Sequence, residues 1–296
     1  MVIARLDRLP DYAILMRLDR PVGSLLLLWP TLAALWIGAG GSPDVALIVV
    51  FTLGTIVMRA AGCVINDYAD RHLDRHVKRT RDRPLTTGRI SEAEALVLFA
   101  LLLSVALFLV LFLDELTRWI AVGGAVIATL YPFMKRWTYL PQVVLGAAFS
   151  WGIVMAFAAT QGTIPEAGWL LFLASLLWIV AYDTMYAMVD RDDDLDVGIK
   201  STAILFGNTD RLMVAAIQVA ALFAFWTCGQ RLGFAAAWSV AMLVVAGLFA
   251  YQQVLIRDRD RDGCFRAFKN NVWVGFAIFC GAVVETAILP RLVASA

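Results

Sequence analysis

The chain has 296 residues, of which 61% are hydrophobic and 17% charged, and its formal net charge is +1 at pH 7. Its mean hydropathy of +0.76 and recurrent apolar stretches, long enough to cross a hydrocarbon core of about 30 Å, predict a polytopic membrane protein. Helices of soluble proteins keep a polar face, and segments such as 96–113 and 233–251 have none. This composition excludes an ordinary soluble enzyme, and no nucleic-acid partner is expected.

Apolar runs between glycine, proline and charged residues predict an all-α fold of about nine transmembrane helices. The predicted spans lie near 21–38, 45–65, 94–113, 117–134, 141–160, 167–189, 211–228, 233–256 and 272–290. We treat residues 1–296 as one transmembrane domain whose functional loops cover about 66–91 and 190–210. The four cysteines have no CxxC spacing, so neither a zinc site nor a disulfide framework is expected.

Basic residues are distributed unevenly between the two sides of these spans. Nearly all of the 25 Lys and Arg residues share the side of the N-terminus, and the other side holds Arg118, Arg231 and Arg291. By the positive-inside rule, the N-terminus and the loops after the second and sixth spans are cytoplasmic, and the C-terminus lies outside. No signal peptide is recognisable, and the early aspartates disfavour a mitochondrial leader, so we expect a bacterial inner membrane.

The first acidic cluster ends the second predicted span. Asn66, Asp70 and Asp74 are spaced four residues apart, and Asp67 joins them, so on a helix all four side chains lie on one stripe. Arg59 precedes Asn66 by seven residues and shares that stripe. An ionisable side chain inside a membrane span is expensive to bury, which makes Arg59 a functional candidate.

The second acidic cluster ends the sixth predicted span on the same side of the membrane. Asp183, Tyr186, Asp190 and Asp194 follow one helical stripe, and Asp183 lies inside the span. The remaining acids of the cluster are less well placed: Asp192, Asp193 and Asp196. Two carboxylates held 4 Å apart repel by roughly 4 kcal/mol at an effective dielectric constant near 20, so facing clusters need a cation between them.

Carboxylate and amide oxygens, with no suitably placed His or Cys, favour a hard cation such as Mg²⁺. Because Mg²⁺ is commonly completed by phosphate oxygens, we expect a phosphorylated substrate whose remaining charge meets Lys135 and Arg136. The chain has no Walker A or GxGxxG sequence, so a nucleotide is poorly supported.

Plainer interpretations of the same residues remain open. Lys135 and Arg136 would also serve as topology anchors, and acidic residues can simply solvate helix ends. His72 and His76 are interpreted as loop residues, and the alternating charges of residues 257–262 as a solvated salt-bridging loop.

The motifs of this chain resemble those of the UbiA superfamily of intramembrane prenyltransferases. The segment Asn66-Asp67-x-x-Asp70-x-x-x-Asp74 resembles the first acidic motif of that family, and residues 182–194 resemble the second in the form typical of members that act on 4-hydroxybenzoate. Four further segments agree: Arg20-Pro21-Val22-Gly23, residues 78–85, residues 131–136 and residues 198–202.

The resemblance implies a bundle of nine helices around a central cavity that opens to the cytoplasm and to lipid. It implies Mg²⁺-dependent transfer of a polyprenyl group from polyprenyl diphosphate to the ring carbon ortho to the hydroxyl of 4-hydroxybenzoate, in ubiquinone biosynthesis. The implied metal ligands are Asn66, Asp70, Asp74, Asp190 and Asp194. Lys135 and Arg136 would contact the diphosphate oxygens.

Roles for the acceptor are hypotheses. The benzoate carboxylate needs a cationic partner, and Arg59 or Arg20 is proposed for it. Catalytic roles fall to Asp183 and Asp190; Asp183 would orient the phenol or accept a proton, or would only pair with a basic neighbour.

Rival interpretations keep the metal site and change the acceptor to a naphthoate, a homogentisate or haem. An ion-coupled transporter is a remote alternative because the acids cluster at helix ends and no inverted repeat is evident. No protein partner is predicted.

Overall fold

The computed structural model describes residues 8–290, and in that range it consists of helices and their connections, without strands. Residues 1–7 and 291–296 lie outside the described residues, so the predicted positions of both termini and of Arg291 fall outside them too. The helices are α1 Leu9–Leu15, α2 Val22–Gly38, α3 Val45–Asp70, α4 Glu92–Val110, α5 Glu115–Trp137, α6 Pro141–Gln161, α7 Glu166–Val197, α8 Thr202–Phe206, α9 Asp210–Arg231, α10 Ala236–Leu255 and α11 Arg261–Val283. Short 3₁₀ turns cover Asp74–His76 and Gly207–Thr209, and a π-helical turn, Val284–Ile288, continues α11.

The predicted all-α membrane fold is confirmed. Eight helical segments within residues 8–290 are long and apolar enough to cross a membrane, with α8 and α9 forming one of them. The shorter apolar helix α2, of 17 residues, supplies the ninth. Each of the nine corresponds to one predicted span.

Helix ends differ from the prediction near both acidic clusters. The helix α7 continues to Val197, so the whole second cluster is helical, whereas α3 stops at Asp70. Asp74 lies instead in the 3₁₀ turn Asp74–His76, so the prediction of one continuous helical stripe through Asp74 is wrong. Near the other end of the chain, α11 begins at Arg261 rather than near 272, because the Asp260 carboxylate accepts a hydrogen bond from the backbone N–H of Gly263 (2.7 Å) and caps the helix.

Helix α7 is the centre of the bundle. It packs against α6, α9 and α11. In its most apolar window 61% of the residues are buried, compared with 11% in the corresponding windows of α4 and α5. The helices α4 and α5 therefore present most of their surface to lipid, and they make few contacts with each other.

The helices α3, α5 and α7 bring their polar ends to one end of the bundle, which we call the acidic end. At this end, Gly198 ends α7 in the left-handed conformation (φ 72°), which glycine adopts without strain. Two residues later, the backbone N–H of Lys200 donates to the carbonyl oxygen of Lys135 at 3.0 Å, which ties the loop after α7 to the end of α5.

Candidate active site

A large cavity of about 1130 Å³ enters the bundle at the acidic end and continues between α3, α4 and α5. Its deeper wall is apolar and includes Ala106, Leu107 and Val110 of α4 and Ala121 and Ala125 of α5. The sequence-predicted residues that line it are Arg20, Arg59, Asn66, Asp70, Asp74, Lys135, Asp183, Asp190 and Asp194. The two acidic clusters thus face one space.

Ion pairs organise the first cluster. Arg17 donates to both carboxylate oxygens of Asp67, at 2.9 and 2.8 Å. Arg83 bridges Asp67 and Asp74, with nitrogen–oxygen distances of 2.8 and 2.7 Å. Asp70 is paired with Lys135. Asp67 is 2% exposed and fully engaged by two guanidinium groups, so it holds the N-terminal segment and the first loop together.

The carboxylates of the second cluster point in two opposite directions. Asp190 faces the cavity, where it accepts hydrogen bonds from the Arg79 Nε at 3.1 and 3.0 Å. Asp193 faces the opposite way and pairs with Arg261 at 2.9 and 3.1 Å. Asp192 is exposed. The sequence-based ranking of Asp190 and Asp194 above the other acids of this cluster agrees with these directions.

Burial sets the charge states outside the spans. Burial raises the pKa of the Asp74 carboxyl above its usual value, although the Arg83 charge opposes this effect. For Arg17 and Arg79, burial alone would lower the pKa, but the facing aspartate and nearby groups outweigh it, so both guanidinium groups have a raised pKa. Ionised acids at this end therefore depend on nearby positive charge.

The chemistry of the donor set fits a divalent cation. Asp70 Oδ1 is buried without a hydrogen-bond partner, and Asp194, 9% exposed, forms no ion pair with any described residue. In the described part of the chain, no three His, Cys, Asp or Glu side chains are grouped closely enough to hold a metal ion. Oxygen-bearing side chains thus face the cavity among the described residues, but Lys135 and Arg79 are paired with Asp70 and Asp190 in this structure.

Deeper in the cavity, the positive charge of Arg59 forms no ion pair with a described residue. Arg59 is partly buried; its Nη1 donates to Cys63 Sγ at 2.8 Å, and its buried Nε has no partner. Its carbon lies 5.7 Å from the centre of the Phe149 ring. No carboxylate of residues 8–290 forms an ion pair with it.

Three polar side chains surround the space beside Arg59. Asp183 lies on α7 seven residues before Asp190, and Arg59 lies on α3 seven residues before Asn66, so both are about 10 Å inside the acidic end. Tyr131 and Tyr182 line the same space, and the Tyr182 hydroxyl is buried without a hydrogen-bond partner. This space therefore combines one cationic group with a carboxyl group and two phenol hydroxyls.

Two predicted basic residues, Arg136 and Arg20, do not lie in the interior of the cavity. Arg136 donates to the backbone carbonyl of Ala69 at 2.6 Å, beside the end of α3, and is not part of the cavity wall. Arg20 lies at the cavity mouth, where it is exposed and paired with its neighbour Asp19 at 3.2 Å. The structure brings Lys135 and Arg59 into the site more directly than these two residues.

Sequence analysis missed three basic residues of the site as candidates: Arg17, Arg79 and Arg83. All three line the cavity and bind acids of the two clusters. For Arg79 and Arg83, the available signal was the basic loop 71–91 directly after the first cluster, whose individual charges were used for membrane orientation and given no role in the site.

Residues 257–260 are exposed and form ion pairs, and two arginines of the segment 257–262 bind acids outside it. Arg259, with a positive φ of 57°, directs its Nε to the fully buried Asp210 at 2.8 Å. Arg261 binds Asp193, whose carboxylate also accepts a hydrogen bond from the Lys78 backbone N–H at 3.3 Å. The segment 257–262 is therefore connected to the start of α9 through Asp210, and to α7 and the loop 71–91 through Asp193.

Comparisons with known proteins agree with this geometry. Residues 27–279 match the sequence profile of the UbiA prenyltransferase family. A protein of Saccharophagus degradans named 4-hydroxybenzoate octaprenyltransferase is 56% identical over 94% of this chain and 93% of its own length. A protein of the same name from Coxiella burnetii is 55% identical over 94% of this chain and 97% of its own length.

Solved structures show the same fold. A UbiA homologue from Aeropyrum pernix K1 superposes with a TM-score of 0.78 at 24% identity, covering 88% of this chain and 97% of that chain. A UbiA homologue from Archaeoglobus fulgidus, solved with GPP and Mg²⁺ bound, has a TM-score of 0.68 at 19% identity, covering 91% of this chain and 99% of that chain.

Proposed function

The chain belongs to the UbiA prenyltransferase family, and we propose that it transfers a polyprenyl group from polyprenyl diphosphate to the ring carbon ortho to the hydroxyl of 4-hydroxybenzoate. The product is 3-polyprenyl-4-hydroxybenzoate, an intermediate of ubiquinone biosynthesis. The observation that carries the proposal is one cavity with two acidic clusters at its mouth and an unpaired guanidinium deeper inside. The relatives that share more than half of its residues carry the name of this activity.

Mg²⁺ fits the acidic end by ligand chemistry. Asn66, Asp70 and Asp74 from one side, and Asp190 and Asp194 from the other, would hold it through oxygen atoms. When bound, such an ion supplies positive charge that stabilises a departing diphosphate. The homologue solved with GPP and Mg²⁺ supports the same pairing of ion and substrate.

The basic residues of the acidic end would bind the diphosphate. Lys135, Arg79 and Arg83 lie within reach of the carboxylates that a cation would occupy, so their release makes them available to phosphate oxygens. As the allylic carbon–oxygen bond breaks, negative charge grows on the diphosphate, and donors to those oxygens stabilise the transition state more than the ground state. Arg136 would act indirectly, because its hydrogen bond to the Ala69 carbonyl fixes the end of α3.

Arg59 would bind the carboxylate of the acceptor. It is the deeper and unpaired candidate, whereas Arg20 is exposed and paired with Asp19. With the carboxylate at Arg59, the ring extends toward the acidic end, where the allylic cation forms. The ring carbon beside the phenol then forms the new carbon–carbon bond, and Asp183 accepts the ring proton or orients the phenol.

The apolar depth of the cavity would hold the polyprenyl tail. The wall formed by α4 and α5 is apolar and largely surrounded by lipid. An allylic cation reacts readily with water, so a cavity lined this way also protects the intermediate. The asymmetric distribution of basic residues favours a cytoplasmic acidic end in a bacterial inner membrane.

Prenyl transfer in membranes that contain the full chain tests this proposal. A radiolabelled polyprenyl diphosphate and 4-hydroxybenzoate are supplied with Mg²⁺ or with EDTA, and Asp70→Asn is assayed beside the wild type. We expect metal-dependent product that is lost in the variant. If product forms only with a naphthoate or a homogentisate, the acceptor is that compound and not 4-hydroxybenzoate. If no acceptor is prenylated, the proposed reaction is wrong.

A further inference from the structure

We propose that Gly23 is a positioning residue for the acceptor: the missing side chain at this position creates the space in which the Arg59 guanidinium lies. This inference rests on the proposed function, because it assigns the purpose of the space to binding an aromatic carboxylate. Gly23 is the second residue of α2, and both Gly23 and Arg59 line the cavity.

The contact is close. A Cβ atom added at Gly23 would lie 2.6 Å from Nε, 2.7 Å from Nη2 and 3.0 Å from Cζ of Arg59. Contacts below 3.0 Å essentially never occur for real Cβ atoms, so one partner must move. The atoms in contact are those of the charged head itself, so any substitution at Gly23 displaces the group that faces the cavity.

The backbone gives no other reason for glycine at this position. Gly23 lies in a regular helix and is not among the residues with positive φ. A glycine that the backbone does not require, in contact with a buried charged group, is explained by the space that it leaves.

If a side chain is added at Gly23, the Arg59 guanidinium cannot keep its present position. Its Nη1 is held by Cys63 Sγ at 2.8 Å, and the Phe149 ring lies on another side at 5.7 Å. Because the arginine head is the end of a flexible chain, we expect Gly23→Ala to fold and to move the guanidinium rather than α2. The consequence is a misplaced binding site for the carboxylate, with the acidic end unchanged.

The test separates the KM values of the two substrates in the full chain. We expect Gly23→Ala to raise the KM for 4-hydroxybenzoate about fivefold, because small displacements of a binding group are costly. The KM for the diphosphate should stay within about twofold of its wild-type value. The KM for methyl 4-hydroxybenzoate, which lacks the negative charge, should also stay within about twofold of the value that the wild type has for this ester. Gly247→Ala is the matched control, since its Cβ meets no atom within 4 Å and it lies outside the cavity.

A double variant tests whether Gly23 acts through Arg59. Glutamine is shorter than arginine, so adding Gly23→Ala to Arg59→Gln should change nothing further. Additive effects of the two substitutions, an equal rise in both KM values, or unchanged kinetics of Gly23→Ala would each overturn the proposal.

Calorimetric binding of 4-hydroxybenzoate to the detergent-solubilised full chain gives a readout that does not need turnover. If the wild type transfers no prenyl group, the proposed function fails. The role of Gly23 is then decided by binding alone: weaker binding in Gly23→Ala supports it, and equal or absent binding in both proteins overturns it.

Discussion

At the acidic end of the cavity, Asp67, Asp70 and Asp190 each face a basic side chain, whereas about two helical turns deeper the Arg59 guanidinium has no carboxylate partner among residues 8–290. Buried charge is expensive in both places. The paired charges at the mouth are ready to exchange partners when a cation and a diphosphate arrive together, since that pair brings both signs of charge. The Arg59 charge inside lies in the same space as Asp183 but forms no ion pair with a described residue, so it can accept a further anion. This difference is the reason for proposing a metal-bound diphosphate at the mouth and a carboxylate in the interior.

Replacing a cavity-facing acid at the mouth should have the largest effect. Asp190→Asn keeps the volume but removes a charge that Arg79 and a cation would share, so we expect the rate of prenyl transfer to fall more than about 100-fold. Transfer rates in membranes over a Mg²⁺ titration measure this. Asp192→Asn is the matched control because Asp192 is exposed. Equal losses in the two variants would show that the direction of the side chain is irrelevant.

The two neighbouring bases at the end of α5 should differ from each other. Lys135→Gln removes a cation from the cavity wall, and we expect the KM for the diphosphate to rise about 30-fold, since a hydrogen bond to a charged group contributes roughly 2 kcal/mol. Arg136→Gln removes a donor to the Ala69 carbonyl and a cation beside the Phe133 ring, so its effect should be no more than about threefold. Steady-state kinetics with varied diphosphate distinguish them. A larger effect at Arg136 would restore the sequence-based assignment of that residue to the diphosphate.

Removing the deep charge should affect the other substrate. For Arg59→Gln we expect the KM for 4-hydroxybenzoate to rise about 20-fold, because the carboxylate loses a charged partner in a buried site. The KM for the diphosphate should change little. Arg20→Gln, at the exposed mouth, is the comparison variant. If Arg20→Gln raises the acceptor KM more than Arg59→Gln does, the carboxylate binds at the mouth instead.

Breaking the ion pair between Asp193 and Arg261 should have the smallest effect. Asp193→Asn and Arg261→Gln each break a partly exposed ion pair, and we expect a loss of about 1 kcal/mol in stability and no more than a threefold loss in rate. The two substitutions should not be additive, because they remove one interaction. Thermal unfolding in detergent measures this, with Arg257→Gln as the control at an exposed pair. Fully additive losses would mean that the two residues act separately.

The broad features of this protein could be predicted from local patterns. Long apolar runs fix the membrane class and the nine helices, because a span needs only its own backbone hydrogen bonds and an apolar surface. The stripe of Asp183, Asp190 and Asp194 follows from helical periodicity, and α7 is helical throughout, so these three side chains do share the cavity.

Features that depend on loops could not be predicted in this way. The end of α3 at Asp70 places Asp74 in a 3₁₀ turn, yet Asp74 still reaches the cluster because Arg83 holds it. The early start of α11 depends on a single capping aspartate, Asp260, in a loop whose alternating charges resemble a solvated segment. Periodicity gives no information on where such turns go.

The sequence by itself determined which residues are expensive to bury: acids at helix ends and an arginine within a span. Only the tertiary structure decided their partners. Arg79 reaches Asp190 across 111 positions, and Lys135 reaches Asp70 across 65 positions. Such pairs form because the bundle brings distant helix ends to one cavity mouth. The same packing leaves Arg59 without an ion pair among residues 8–290 and sets Gly23 against its guanidinium, since charge and volume are matched in space rather than along the chain.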